Sequence, residues 1–308
     1  MKTFIPTALG VLLMGSTAMA ESTLEVSGFI DGSYTYFKDM TEGAEGDKNG
    51  QIGIDQVEVD FIAKPGENSS VRADFEYFAG GALGLEQAFW DYTFAEGLTL
   101  TMGRINAPIG VEAIDPTDMY QYSYGLLFSY ASPSNLDGVF LTYEVSGLTA
   151  MVWMSNDWEA FKQAGSTKSS FGSRVAYAIN DSSSVGVATT YNAESEHLMV
   201  DTDIVFGFGS TTLFLEGNYN DFSSADEDET TGFLVKVNQG ITDDVSVTGR
   251  FDYLDGFIFE GRMSATAAVL APVTDGVGFT GEIRYDMGKE GGVEVDGLAM
   301  ALEFIASF

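Results

Sequence analysis

The chain has 308 residues, with 14 basic and 46 acidic side chains and a formal net charge of −32, which disfavours nucleic acid and anionic lipid surfaces as partners. Cysteine is absent and histidine occurs once, which rules out disulfide staples and Cys/His metal centres. Thirty-six glycines, 23 phenylalanines and 14 tyrosines against six prolines favour many strands separated by turns, an all-β chain.

At the N-terminus Lys2 precedes an apolar run, Ala8 to Met14, and a small-x-small pattern, Ala18-Met19-Ala20. This reads as a secretory signal peptide over residues 1–20, leaving residues 21–308 as one domain with 13 basic against 46 acidic side chains, a net charge of −33. No later stretch approaches the roughly 20 apolar residues of a membrane helix, so a helical membrane protein is excluded.

From there the chain offers about sixteen candidate strands, or about fourteen or twelve if weak neighbours merge, as in a transmembrane antiparallel up-and-down β-barrel. In the second strand Val57, Val59, Phe61 and Ala63 oppose Gln56, Glu58 and Asp60; in the third Val71, Ala73, Phe75 and Tyr77 oppose Arg72, Asp74 and Glu76. The sixth sets Val139, Leu141, Tyr143 and Val145 against Thr142, Glu144 and Ser146. Such strands need lipid on one side and water on the other. Connections alternate in kind. Short turns fall at residues 65–68, 95–97, 146–147, 180–182, 207–209, 242–244 and 272–276. Most of the others are longer and more acidic, the pattern of periplasmic turns and extracellular loops. Tyr77, Tyr92, Tyr143, Tyr177, Tyr191, Tyr219, Tyr253 and Tyr285 lie near strand ends on the apolar side, as interfacial girdles would.

Charges occupy the opposite side: Arg72, Arg174, Arg250 and Arg284 with Asp74, Glu76, Asp252, Glu282 and Asp286, joined by Glu58, Asp60, Asp91, Glu144, Glu216 and Glu303. On lipid, an Arg or Lys near the midplane costs about 2–4 kcal/mol, so these face an interior. So many ions cannot sit in a dry core, which implies a water-filled lumen, and the excess of acids favours cations. A structural ion pair, Arg72 with Asp74 for example, competes with a selectivity role at each position.

The longest connection, Ile105 to Leu136, is too hydrophobic for a solvated loop. Pro108-Ile109-Gly110-Val111-Glu112 leads to Asp115-Pro116 and an aromatic run through Tyr120, Tyr122, Tyr124, Phe128 and Tyr130. It is expected to pack in the mouth or lumen of the barrel. The stretch from Gly103-Arg104 through Pro-x-Gly-x-Glu and a Tyr/Ser-rich segment to Pro133 and Asp137-Gly138-Val139 resembles the signature of the OmpL-like β-barrel porins. That resemblance implies an outer-membrane barrel that passes small solutes passively. Asn135 and Asp137 stand where the family commonly carries a basic residue or His, which leaves the solute class open. As the third of the long connections, the segment also resembles the constriction loop of sixteen-stranded general porins. This implies a narrow passage where Glu112, Asp115 and Asp118 face Arg104 and wall residues, unless Pro108, Gly110 and Glu112 serve only to fix a packed turn.

Further along, Asn192, Ser195 and His197 resemble in kind the Ser/His/Asn chemistry of outer-membrane phospholipases, but the order is reversed and no oxyanion motif accompanies them. Asp226-Glu227-Asp228-Glu229 lacks the spaced ligands of a calcium loop, and an adhesion or binding barrel using such loops is a second alternative. The last strand sets Leu298, Met300, Leu302, Phe304, Ala306 and Phe308 on one side. It resembles the C-terminal signal read by the barrel-assembly machinery of Gram-negative bacteria.

The sequence therefore predicts an outer-membrane porin, not an enzyme, that conducts small hydrophilic solutes and ions with a weak cation preference. It implies no cofactor or metal, outer-membrane lipid as surroundings, and is compatible with a homo-oligomer.

Overall fold

Two-residue alternation fixes the architecture, because a strand with one oily and one charged face can satisfy both only by closing into a cylinder in lipid. The computed structural model describes residues 23–41, 48–78, 81, 83–156, 169–193, 195–222, 229–256 and 259–308. The expected signal peptide and residues 226–228 of the acidic run lie outside these.

Sixteen strands follow one another: β1 (Leu24–Asp39), β2 (Lys48–Gly66), β3 (Ser69–Phe78), β4 (Leu83–Ala95), β5 (Leu98–Asn106), β6 (Asn135–Val145), β7 (Leu148–Asn156) and β8 (Ser169–Asn180). The second half comprises β9 (Ser183–Asn192), β10 (His197–Phe208), β11 (Thr211–Phe222), β12 (Thr230–Gly240), β13 (Ser246–Gly256), β14 (Phe259–Thr274), β15 (Val277–Glu290) and β16 (Val293–Ser307). Each pairs with its neighbours, and β1 closes antiparallel on β16, with Phe29 opposite Ser307 and Asp39 opposite Gly297. No edge is left to template aggregation. All seven short turns expected from the sequence join strands at one rim, where β1 begins and β16 ends.

The seam is finished by the last residue. Phe308 N–H donates to the Gly28 carbonyl at 3.0 Å, and Gly28 N–H to the Phe308 carbonyl at 3.2 Å. Gly28 has to lack a Cβ, which would stand 2.3 Å from the Glu58 carbonyl oxygen and 2.8 Å from the Phe308 ring.

Outside, Phe61, Val71, Phe75, Leu141, Tyr143, Leu302 and Phe304 are exposed, as are Tyr77, Tyr177 and Tyr191 of the expected girdles. Cross-strand ring pairs such as Phe61 with Phe75 at 6.1 Å and Phe279 with Phe304 at 5.2 Å reinforce the wall. Each contributes about 0.2–1 kcal/mol. Inside, Glu58, Asp74, Arg250, Asp252 and Glu303 are buried. The outer surface is thus oily and the inner one ionic, the reverse of a soluble globule.

Candidate functional site

The β5–β6 connection lies within the barrel and is held to the inner wall at both ends of its course. Ile109 packs with Leu136, Phe140, Trp153, Ala188 and Met199, which places its first turn against β6, β7, β9 and β10. A π turn at Leu127–Ala131 buries Leu126, Leu127 and Ala131 with Leu234, Leu254 and Phe259 of β12, β13 and β14. Apolar residues of the connection therefore find apolar partners on an inner face that is otherwise polar.

Polar contacts carry the same segment across the lumen. Gly110 N–H donates to Asp201 at 3.2 Å and Val111 N–H to Glu216 at 3.0 Å. Gly110 has φ +79°, and a Cβ there would meet the Glu216 carboxylate at 2.9 Å, so this turn requires glycine on both counts. Ser123 N–H reaches Glu282 at 3.0 Å, Arg284 donates to the Tyr124 carbonyl at 2.6 Å, and Arg250 donates to the carbonyls of Ser123 and Tyr124. Tyr122 Oη lies 3.3 Å from Ser33 Oγ and 3.4 Å from Asp55.

Glu112 is the hub of this network. Its carboxylate accepts the Gln121 amide at 2.8 Å, the Gly125 N–H, and Arg250 at 3.2 Å, and it lies 3.6 Å from Lys236 Nζ. Arg250 also binds Asp252 at 2.9 Å, Arg284 binds Asp286 at 2.8 Å, and Lys236 stands over the Phe214 ring. Three inner cations are thus neutralised as anchors for the connection. Arg174 spans β9 to form a two-point pair with Asp203 on β10, and Gly186 beneath leaves the room: a Cβ would lie 2.5 Å from the guanidinium.

Ala113 to Met119 is different. It contains the 3-10 turn Pro116–Asp118, whose backbone bonds are internal, from Asp118 N–H to the Asp115 carbonyl and from Met119 N–H to the Pro116 carbonyl. Thr117 and Asp118 are exposed. Pro116, Thr117 and Met119 border a space of about 390 Å³ against β14, β15 and β16, and a second of about 240 Å³ lies under Asp115 and Asp118. On Asp115, burial and then the facing Glu86 and Asp118 carboxylates push the carboxyl pKa up to about 7, with Arg72 pulling the other way.

The wall from β2 to β4 is strongly acidic. Arg72 binds Asp74 at 2.8 Å and approaches Asp60 at 4.0 Å, while Glu58, Glu76 and Glu86 gather beside them. Glu86 enters through a register shift between β3 and β4, where Asp74 faces Gln87 but Phe75 faces Leu85. Period-two reading of the sequence missed Glu86 for that reason. Lys236 was also missed, although exposed Val235 and Val237 on either side of it point to an inward lysine.

The expected pairing of Arg104 with Glu112, Asp115 and Asp118 does not occur. Arg104 shares the outward parity of Leu100 and exposed Met102, and opposes Asp137 across β5–β6. Its guanidinium binds Asp137 at 3.1 Å, the Glu86 carbonyl at 2.9 Å and Asn135 at 3.4 Å. Two residues from the end of its strand, it is at the rim, where a lipid-side charge costs only about 0–1 kcal/mol.

His197 begins β10, buried, with Nε2 2.9 Å from Asn220 Oδ1, while Ser195 N–H donates to Asn192 Oδ1 at 3.3 Å.

Comparison with solved structures gives the same barrel at low identity. The anion-selective porin from Comamonas acidovorans matches with a TM-score of 0.73 at 12% identity, over 94% of this chain and 100% of that one. The outer membrane channel DcaP of Acinetobacter baumannii gives 0.69 at 11%, over 93% and 97%. A loop L8 deletion mutant of OmpT, an outer membrane protein of Vibrio cholerae, gives 0.70 at 10%, over 93% and 99%. No curated protein sequence matches the chain. The family model described as beta-barrel porin-2, OmpL-like, matches residues 23–291, the whole barrel up to the last strand, and the chain belongs to this family of outer-membrane β-barrel porins.

Proposed function

We propose that this barrel is a passive channel for small hydrophilic solutes and ions, with a weak preference for cations. One observation carries the reading: the connection inside the barrel is anchored through Lys236, Arg250 and Arg284, while its segment with Asp115 and Asp118 faces a mainly acidic wall. Cations anchored in this way no longer attract anions, and the field left along Asp60, Asp115 and exposed Asp118 is negative. The anion preference named for the Comamonas porin belongs to that protein, whose sequence shares only 12% identity with this chain.

Diffusion down a gradient needs no catalytic group, and we read the chain as a channel, not a hydrolase. His197 sits in the wall with Nε2 2.9 Å from Asn220 Oδ1, a contact that ties the ring to the neighbouring strand. The closing strand ending at Phe308 supports delivery by the barrel-assembly machinery, and the barrel is proposed to associate with copies of itself in outer-membrane lipid of a Gram-negative cell.

Planar-bilayer recording under a potassium chloride gradient tests the channel. Stepwise conductance with a reversal potential of the cation-preferring sign is expected. Electrical silence, or the opposite sign, overturns the reading.

A further inference from the structure

The inner wall holds a set of carboxylates that the channel reading does not use. Glu58 of β2, Glu76 of β3 and Glu86 of β4 bring one oxygen each to within 4.8 Å of one another. Among the described residues, no basic side chain forms an ion pair with any of the three. The nearby guanidinium, Arg72, is committed to Asp74 and Asp60.

Glu86 is the decisive member. It is only 2% exposed, and neither of its carboxylate oxygens has a hydrogen-bond partner. Glu58, 1% exposed, accepts Gln56 at 3.1 Å with one oxygen and leaves the other unpartnered. A buried, unpaired carboxylate is among the costliest arrangements a protein can hold. Here it is also built deliberately: the bulge at Glu86 turns two adjacent side chains, Glu86 and Gln87, inward, whereas a regular strand would send one outward. Bulges recur where a side chain must be re-aimed.

We propose that Glu58, Glu76 and Glu86 form a Ca²⁺ site on the lumen wall. The donor set is all oxygen and anionic, which suits a hard cation and not zinc or copper. Ca²⁺ takes its ligands at about 2.3–2.6 Å, so two oxygens on opposite sides of one ion lie about 5 Å apart, and the observed spacing fits a common centre. Three carboxylates supply up to six oxygens, and the lumen supplies water for the rest. Asp115 from the inserted connection, with Asp60 and Asp74, adds negative field around the site without being required as a ligand. The competing arrangement is a set of carboxyls that share protons and need no metal.

Isothermal calorimetry with calcium chloride on the detergent-folded full chain, together with its thermal unfolding, decides between them. One saturable Ca²⁺ site and a higher unfolding midpoint in Ca²⁺ are expected. Glu86→Gln removes an unpartnered charge, so it should fold, yet it should bind at least ten-fold more weakly and lose the calcium-dependent rise. Glu76→Gln should weaken binding likewise. Asp91→Asn, on the same strand but hydrogen-bonded to Ser70 and Thr101, should bind as the parent does. No heat with the parent chain, or equal affinity in Glu86→Gln, would overturn the site in favour of shared protons. Calorimetry reads the ion whether or not the barrel conducts, so this proposal and the channel reading can fail separately.

Discussion

Glu112 shows how one carboxylate can set the position of a whole segment. It is fixed by two donors from its own connection and balanced by Arg250 and Lys236 from the wall. Glu112→Ala leaves those cations without their shared counter-charge, and breaking a buried pair in this way costs about 3–5 kcal/mol. A clearly lower thermal midpoint in detergent, with new protease cleavage between residues 113 and 126, is expected; a parental melt would contradict the anchoring role. Glu112→Gln keeps an acceptor for Gln121 and Gly125 and should lie in between. Asp115 acts in the opposite sense. Its carboxyl titrates about pH 7 instead of its ordinary 3.8, so between those values the folded chain holds more protons than the unfolded one. Stability from this group is therefore lost as pH rises towards 7, while negative charge appears in the proposed passage. Reversal potentials should show stronger cation preference at pH 8 than at pH 6, and Asp115→Asn should remove part of that difference. Equal pH dependence in both chains would exclude Asp115 from the conducting path.

At the scale of elements, the β5–β6 connection combines an anchored frame with a free tip. Gly125 belongs to the frame: a Cβ would stand 2.4 Å from Asp252 and 2.8 Å from Glu112. Gly125→Val should dislodge the frame and make single-channel current noisy, while circular dichroism still reports a full complement of strand. Replacing Ala113 to Met119 by a short Gly/Ser linker should raise conductance by about two-fold, since this tip is proposed to line the passage and makes none of the ion pairs that fix the connection to the wall. Unaltered conductance would place the passage elsewhere. That the segment packs was legible from its Pro108 to Glu112 turn and its aromatic run. Its partners were not, since Glu112 and Arg250 are 138 residues apart and no local pattern orders inner-wall residues by height.

For the whole molecule, strand number, turn positions and facing were readable because the lipid boundary enforces a strict period of two. Reading failed where that period breaks or was overruled. The bulge hid Glu86. For Arg104, the spacing Leu98, Leu100, Met102, Arg104 already placed the guanidinium outside, and its nearness in sequence to the inserted connection pointed wrongly inward. Closure rests on eleven paired positions between β1 and β16 and on the backbone bonds of the last residue. Deleting Phe308 removes both backbone bonds to Gly28 and the ring over that glycine, so the heat-resistant folded band on unboiled gels should weaken. Band intensity equal to the parent's would show the seam is held by the rest of β16.

The seats that receive the inserted segment carry a consequence for biogenesis. Arg250, Glu282 and Arg284 belong to strands made long after Ser123 and Tyr124, with 160 residues separating Tyr124 from Arg284. Until those strands arrive, Ser123 and Tyr124 lack their wall partners, although Tyr122 already has Ser33 and Asp55 of β1 and β2. Fixing this part of the segment is thus a late act of maturation, and a stalled precursor should be easier to cut there than the finished protein.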